Sequence, residues 1–305
     1  MRDFLTPLLL ALAAILLDRL LGEPKRFHPL VGFGRLADLV ERTLRRGAPG
    51  HPLGNRLRGL IAWSILVAPP VLLAAMWAHP LVDLLLLTFA LGARSLAEHA
   101  QAVAAPLAAG DLPAARQAVG QIVTRETALL DEAGVAKAAV ESVLENGLDA
   151  VFGALFWFFL AGGAGALLFR LANTLDAMWG HRDERRRHFG WAAARLDDLL
   201  GLVPARLTAL TYALLGSTRT ALACWLKQAR QWPSPNAGPV MAAGLGALKV
   251  GAGGTARYAG RDESRPALGC GPAPKSTDIR RAQALITRGV WLWLAVFAIW
   301  SFFRA

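Results

Sequence analysis

Glu141, Glu145, Asn146 and Asp149 stand at the head of a strongly apolar run in AVESVLENGLDAVFGALFWFFLAGGAGALLF, residues 139–169. On a helix the three carboxylates, four residues apart, share one face. Like charges at that spacing repel by roughly 0.2–0.5 kcal/mol per pair, so a cation or nearby arginines should offset them. Magnesium suits the position, because it takes one or two carboxylates and leaves its other places to water or phosphate. Glu145 and Asp149 are the candidate metal pair. The alternative is a solvated acidic stripe, with Gly147 ending the helix before Asp149 joins it.

Two more polar stretches flank apolar ones. In LANTLDAMWGHRDERRRHFGWAAARLDDLLGLVPARL, residues 171–207, Asn173, Thr174 and Asp176 precede the charge run HRDERRRH, and Asp197 and Asp198 come before Pro204. Asn and Thr there read as helix caps, with ligand binding the other reading. In PSPNAGPVMAAGLGALKVGAGGTARYAG, residues 233–260, Ser234 to Gly238 form a rigid turn before a small-residue helix. Its N-terminal N–H groups could seat a phosphate or carboxylate; tight helix packing is the alternative. Gly251, Gly253 and Gly254 permit close backbone approach.

Other chemistries lack their signatures. No GxxxxGK[ST] loop occurs, since GPAPKS at 271–276 has the lysine without the loop; none of the six histidines falls in an HExxH arrangement; and there is no GxSxG elbow. Two cysteines, Cys224 and Cys270, make no disulfide framework. No recognition helix, zinc knuckle or aromatic-basic ladder points to nucleic acid.

These residues need elements to position them, and composition says which. With 305 residues, 54% of them hydrophobic, the chain is too apolar for an ordinary soluble domain of its size. Apolar residues cluster at 4–17, 57–77, 81–91, 151–169, 207–226 and 289–303, of which only the second and fourth approach clean spans. Arg2 ahead of a short apolar core imitates a secretory signal, but Asp18-Arg19 follows without a small-residue cleavage site, so an uncleaved anchor is expected. The net charge of +11 fits cytoplasmic loops rich in Lys and Arg, beginning with Lys25, Arg26, Arg35, Arg42, Arg45, Arg46, Arg56 and Arg58.

That rule shapes the expected topology. The second and third segments, joined by Ala78-His79-Pro80, form a helical hairpin. Residues 94–147 then read as three or four short amphipathic helices on the cytoplasmic side, with Asp111 capping one. A single crossing at 151–169 would place Arg170, Arg182, Arg185, Arg186, Arg187 and Arg195 outside, against the charge rule. The chain should therefore double back at Gly162-Gly163-Ala164-Gly165, and a second dip is expected near Gly216-Ser217. The expected fold is all-α, a polytopic integral membrane protein with broken or re-entrant helices in a single domain over 1–305, with 94–147 and 227–288 as cytoplasmic segments.

Six blocks in register carry a family resemblance: LLDRLLGEPKRFHPLVGFGRL, SLAEHAQAV, GDLPAARQAVGQIVTRET, AVESVLENGLDAVF, FRLANTLDAMWGHRDERRRHFGWAAARLDDLLGLVPARL and SPNAGPVMAAGLGALKVGAGGTARYAG. Over nearly the whole chain they resemble the adenosylcobinamide-phosphate synthase family of cobalamin biosynthesis, the CbiB/CobD type. The resemblance implies an ATP- and magnesium-dependent ligase of the cell inner membrane. It would join a propionate carboxylate of the corrinoid adenosylcobyric acid to aminopropanol or its O-phosphate. Its site would face the cytoplasm, beside other membrane-bound enzymes of that biosynthesis, in a lipid bilayer and in a chain able to form a homo-oligomer. Glu141, Glu145, Asn146, Asp149 and Arg125 match the family's catalytic blocks, and Asn173, Asp176, Asp197, Asp198, Ser234, Asn236 and Gly238 its substrate-binding ones. The sequence departs from the family's pattern at Gly147, Ala150, Phe152-Gly153, His181, Arg187 and Gly201. A non-catalytic sensor on the same scaffold, or a transporter with broken helices, are the competing expectations.

Overall fold

The structure is a computed structural model that describes residues 2–23, 29–45, 51–180, 186–258 and 260–304. Lys25, Arg26, Arg46, His181, Arg182 and Arg185 lie outside the described residues. The helices are α1 (Arg2–Leu21), α2 (Pro29–Arg45), α3 (Pro52–Met76), α4 (Pro80–Ala90), α5 (Ala93–Ala108), α6 (Leu112–Val119), α7 (Glu132–Gly147), α8 (Gly153–Trp179), α9 (Trp191–Leu215), α10 (Thr218–Gln228), α11 (Ala237–Leu248) and α12 (Ser276–Arg304). A π-helical segment, Leu148–Phe152, joins α7 to α8. Among the described residues, short strands pair antiparallel: β1 (Gly251–Ala252) with β4 (Leu268–Gly269), and β2 (Ala256–Tyr258) with β3 (Arg261–Glu263).

The protein is an all-α polytopic membrane protein. Among the described residues, five helical stretches are long and apolar enough to cross a bilayer: Pro52–Met76, Pro80–Ala108, Glu132–Trp179, Trp191–Leu215 and Ser276–Phe303. The sequence reading found only two clean spans because it stopped each at its first polar residues. A helix continues through them, and α12 begins thirteen residues before the apolar run at Gly289.

The chain divides into two compact units, one of residues 1–92, 153–201 and 304–305 and the other of 93–152 and 202–303. In the first, α4 begins at Pro80, and the ring nitrogen Nδ1 of His79 accepts the Leu81 N–H at 3.2 Å. Proline at the first helical position gives up an N–H that had no partner anyway. Both α3 and α4 pack against α8, which is the support that the expected α3–α4 hairpin obtains.

α8 itself doubles back. Ala161 and Gly162 leave the helical region, Gly162 at φ 63° and ψ −156°. A Cβ on Gly165 would strike the carbonyl oxygen of Trp157, and one on Gly153 would enter the ring of Phe169. In a straight helix residues 153 and 169 would be about 24 Å apart, so the arms 153–160 and 163–179 lie side by side. Asp83 Oδ1 accepts the Gly163 N–H at 2.7 Å, supplying from α4 the cap that the second arm's exposed N–H groups require. The reversal expected at Gly162-Gly163 is present. The second arm's Leu167, Leu171, Leu175 and Trp179 pack with Leu66 of α3 and with Phe189.

In the second unit, α5, α6 and α7 occupy the stretch where three or four short helices were expected, and Asp111 Oδ1 caps α6 through the Ala114 N–H at 3.1 Å. α9 ends at Leu215, where a break was expected, but α10 does not form the second dip against α9. It runs along α11 instead: the Ser217 N–H donates to Ala247 O at 3.0 Å, and Thr220 Oγ1 donates to Gly246 O at 2.7 Å. Glycine decides the pairing, because a Cβ on Gly246 would stand 2.8 Å from Ala221 Cα, and one on Gly238 would stand 2.5 Å from Ala229 O.

Candidate functional site

The acidic face is built by α7 and the π segment after it. Asp131 starts the helix, its Oδ1 accepting the Gly134 N–H at 2.7 Å. Gly147 does not end the helical path. Leu148 N–H donates to Glu145 O, three residues back, and the chain widens into the π turn that carries Asp149. Leu144 O, which a regular α-helix would commit to Leu148, instead accepts the hydroxyl of fully buried Tyr212 at 3.0 Å. A Cβ on Gly147 would collide with that same hydroxyl. Glycine at 147 therefore has a local cause: Tyr212 occupies the space that a side chain would need.

Glu141 is 3% exposed and fully committed. Its Oε2 accepts Arg125 Nη2 at 2.5 Å and Arg265 Nη2 at 3.2 Å, while Oε1 accepts the Gly253 N–H at 2.8 Å. Two guanidiniums and a peptide N–H leave neither oxygen of this buried carboxylate unpaired. Arg265 also lies over the Trp232 ring, 5.3 Å from its centroid. Lys137, one turn before Glu141, donates from Nζ to Gly253 O at 3.0 Å. Gly253, at φ 80°, has no room for a side chain, since a Cβ would meet Pro266 O.

Glu145 differs from its neighbour. It lies within electrostatic reach of Glu141, Asp149, Arg125 and Arg265, yet makes no hydrogen bond or ion pair with any described residue. Asn146 folds back on its own helix, Nδ2 donating to Ser142 O at 2.8 Å and to Ser142 Oγ at 3.2 Å, so its carbonyl oxygen alone is left for a ligand. Next to Arg125, Glu126 turns the other way: its Oε1 accepts the Gly260 N–H at 2.6 Å and its own N–H donates to Arg257 O at 2.8 Å, pinning the β2–β3 hairpin.

The third block lies in the same unit. Ser234 Oγ accepts the N–H groups of Asn236 at 3.3 Å and Ala237 at 3.1 Å, and Ser234 O accepts that of Gly238 at 3.3 Å. Pro239 has no N–H, so the anion seat expected at the start of α11 is filled by the chain itself. Asn236, 5% exposed, turns its Oδ1 to Arg206 Nη1 at 2.8 Å. Trp232, two residues before Ser234, is what ties this block to Arg265 and thereby to Glu141.

The second block belongs to the other unit. Asn173 and Thr174 lie inside the second arm of α8 and are not caps; Thr174 Oγ1 donates to Arg170 O at 2.8 Å. Asp176 O accepts the Gly180 N–H at 2.6 Å at the end of that helix. Asp197 and Asp198 lie on α9, with Asp198 paired to Arg195 at 3.3 Å.

Sequence reasoning missed Arg265, Lys137, Trp232 and Tyr212. Lys137 had a signal, the four-residue interval to Glu141. The other three had none, being brought in by packing alone. Cys224 carries no chemistry here: burial, with the Cys270 thiol beside it, pushes its pKa up to about 11, which keeps it a thiol at neutral pH.

For magnesium the residues fit. Among the described residues no three His, Cys, Asp or Glu side chains converge as a closed metal cage, but Glu145 with a free carboxylate and Asp149 beside it match an ion that keeps most of its places for water and phosphate.

A family model described as "CobD/Cbib protein" matches residues 11–286. The cobalamin biosynthesis protein CobD of Chromobacterium violaceum is 60% identical over 290 residues, covering 93% of each chain. The protein of the same name from Rhodobacter capsulatus is 41% identical over 91% of this chain and 92% of its own. That from Mycobacterium tuberculosis is 38% identical over 96% and 95%. No solved structure matches. A family match across most of the length, with relatives this similar end to end, leaves one conclusion: the chain belongs to the CobD/CbiB family of cobalamin biosynthesis proteins.

Proposed function

We infer that the protein is an ATP-dependent amide ligase of the adenosylcobinamide-phosphate synthase type. It joins a propionate carboxylate of adenosylcobyric acid to the amine of aminopropanol or its O-phosphate, at the inner membrane with its site on the cytoplasmic side. The observation that carries the reading is Glu145, a carboxylate without a hydrogen-bond or ion-pair partner among the described residues, between Glu141 and Asp149 and within electrostatic reach of Arg125 and Arg265.

A carboxylate is a poor acyl donor. One corrinoid carboxylate oxygen attacks the γ-phosphorus of ATP, ADP leaves, and the product is an acyl phosphate. The amine nitrogen then attacks the acyl carbon, phosphate leaves with the bridging oxygen, and the nitrogen loses a proton. Aminopropanol arrives largely as an ammonium ion, and a carboxylate with a free oxygen suits both its binding and its deprotonation. Arg125 and Arg265, held on Glu141, place positive charge where phosphate negative charge gathers. Magnesium brought with ATP would be held by Glu145 and Asp149 and would neutralise phosphate charge. Ser234, Asn236 and Gly238, in the same unit as Glu145, remain proposed contacts for the corrinoid.

Purified protein incubated with adenosylcobyric acid, ATP, magnesium and either amine should form the amide, read by mass spectrometry as the corrinoid plus the amine less water. No ATP-dependent amide with either amine would refute the assignment and favour the sensor or transporter readings.

A further inference from the structure

Three cations gather at Glu141 and the Gly253-Gly254 turn, and two of them carry donors without an acceptor among the described residues. The Arg265 side chain is 14% exposed. Its Nη2 faces both Glu141 oxygens, Trp232 covers its guanidinium, and its buried Nε has no hydrogen-bond partner among the described residues. Lys137 Nζ commits one of its three N–H bonds, to Gly253 O. Arg125, only 7% exposed, reaches the same carboxylate from the other side. A buried donor without an acceptor is costly, and a ligand that brings an acceptor removes the cost.

Charge narrows the ligand. Lys137, Arg125 and Arg265 against Glu141 leave an excess of two positive charges, once magnesium balances Glu145 and Asp149. A guanidinium held on Glu141 and an ammonium held on Gly253, itself bonded to Glu141, suit a phosphoryl group, whose oxygens accept from both. We propose that Arg265 Nε and Lys137 Nζ, set in place by Glu141, Gly253 and the Trp232 ring, bind a phosphoryl dianion, and that Arg265 is a substrate-binding residue of this site. The naming of its two possible sources, ATP and aminopropanol O-phosphate, rests on the amide-ligase reading; the phosphoryl site does not.

The test is direct binding to the full chain in nanodiscs, by calorimetry. The probes are a non-hydrolysable ATP analogue with magnesium, aminopropanol O-phosphate, unphosphorylated aminopropanol and cobyric acid, measured for wild type, Arg265→Lys and Lys137→Met. Lysine at 265 keeps the charge and loses Nε. It should weaken one of the two phosphorylated ligands roughly ten- to hundredfold, leaving aminopropanol and cobyric acid unchanged, and the ligand that weakens identifies the source. Lys137 holds no contact to Glu141, so Lys137→Met keeps the test open if Arg265→Lys fails to fold; it should weaken the same ligand by about tenfold. Affinities for both phosphorylated ligands within twofold of wild type, wild type binding neither, or a loss confined to cobyric acid would each overturn the proposal. Binding losses as expected, in a preparation that makes no amide, would sink the ligase reading and leave the phosphoryl site standing.

Discussion

Each unit of the protein buries a glutamate under two arginines, and the two arrangements differ in the charged groups that stand beside them. Glu41, 3% exposed, accepts Arg45 Nη1 at 2.6 Å and Arg186 Nη2 at 3.0 Å. Arg186 commits Nη1 to Met178 O at 2.8 Å, and Arg45 lies 5.7 Å from the centre of the Phe189 ring. That network clasps the turn before α9 onto α2. Glu141 is buried to the same degree and paired as well, yet beside it stand the Glu145 carboxylate and the Arg265 Nε, neither of which has a partner among the described residues. Burial and ion pairing alone do not mark a site. Uncommitted donors and acceptors next to a rigid charge pair do.

The sharpest way to break the comparison is Glu145→Gln. Amide formation should fall by about 10²–10⁴-fold with little change in thermal midpoint, whereas Glu41→Gln should lower the midpoint and leave turnover per folded molecule intact. Equal effects on both quantities in both variants would erase the distinction. Next come the two buried pairs compared for stability. Removing one partner of a buried pair costs about 3–5 kcal/mol, so Glu141→Gln should cost about 3 kcal/mol, its arginines being 7% and 14% exposed. The Glu41 partners are 24% and 28% exposed, and solvent screening should reduce that loss to about 1 kcal/mol. Denaturant titration of the two variants, read as a difference in midpoint at constant slope, measures this.

Smaller effects probe what holds the acidic face in place. Gly147→Thr should destabilise by about 1–3 kcal/mol through overpacking against the Tyr212 hydroxyl, and Tyr212→Phe in the same chain should recover part of it. Simple additivity of the two changes would show that the hydroxyl is not the obstacle. In the other unit, Asp83→Ala removes the cap on the second arm of α8 and should cost about 1 kcal/mol; no change would mean that the reversal at Gly162 is held by packing alone.

Some of this was legible in local spacing. The four-residue intervals of Glu141, Glu145 and Asp149 announce one helical face, and Asp111 before Pro113 announces a cap. The GGAG at 162–165 announces a reversal, because only glycine permits the positive φ of Gly162 and the close arms beside it. The six blocks, taken together, pointed to the family.

Other matters were beyond any local pattern. Asn173 and Thr174 read as caps and are helix interior, since nothing nearby says where the second arm of α8 stops. The N–H groups ahead of α11 read as an anion seat and are taken by Ser234, which the same residues could have left free. α10 chose α11 over α9 because Gly246, 25 residues beyond Ala221, lets two backbones touch.

Amino-acid order alone therefore determined that this chain is helical, enters a membrane, breaks at particular glycines and carries carboxylates on one face, since each depends on neighbours within a few turns. The tertiary structure alone decided which carboxylate is tied and which is free, because Glu141's partners sit 16 and 124 residues away. An ion pair across that distance is set by how helices and loops pack, which no interval along the chain records.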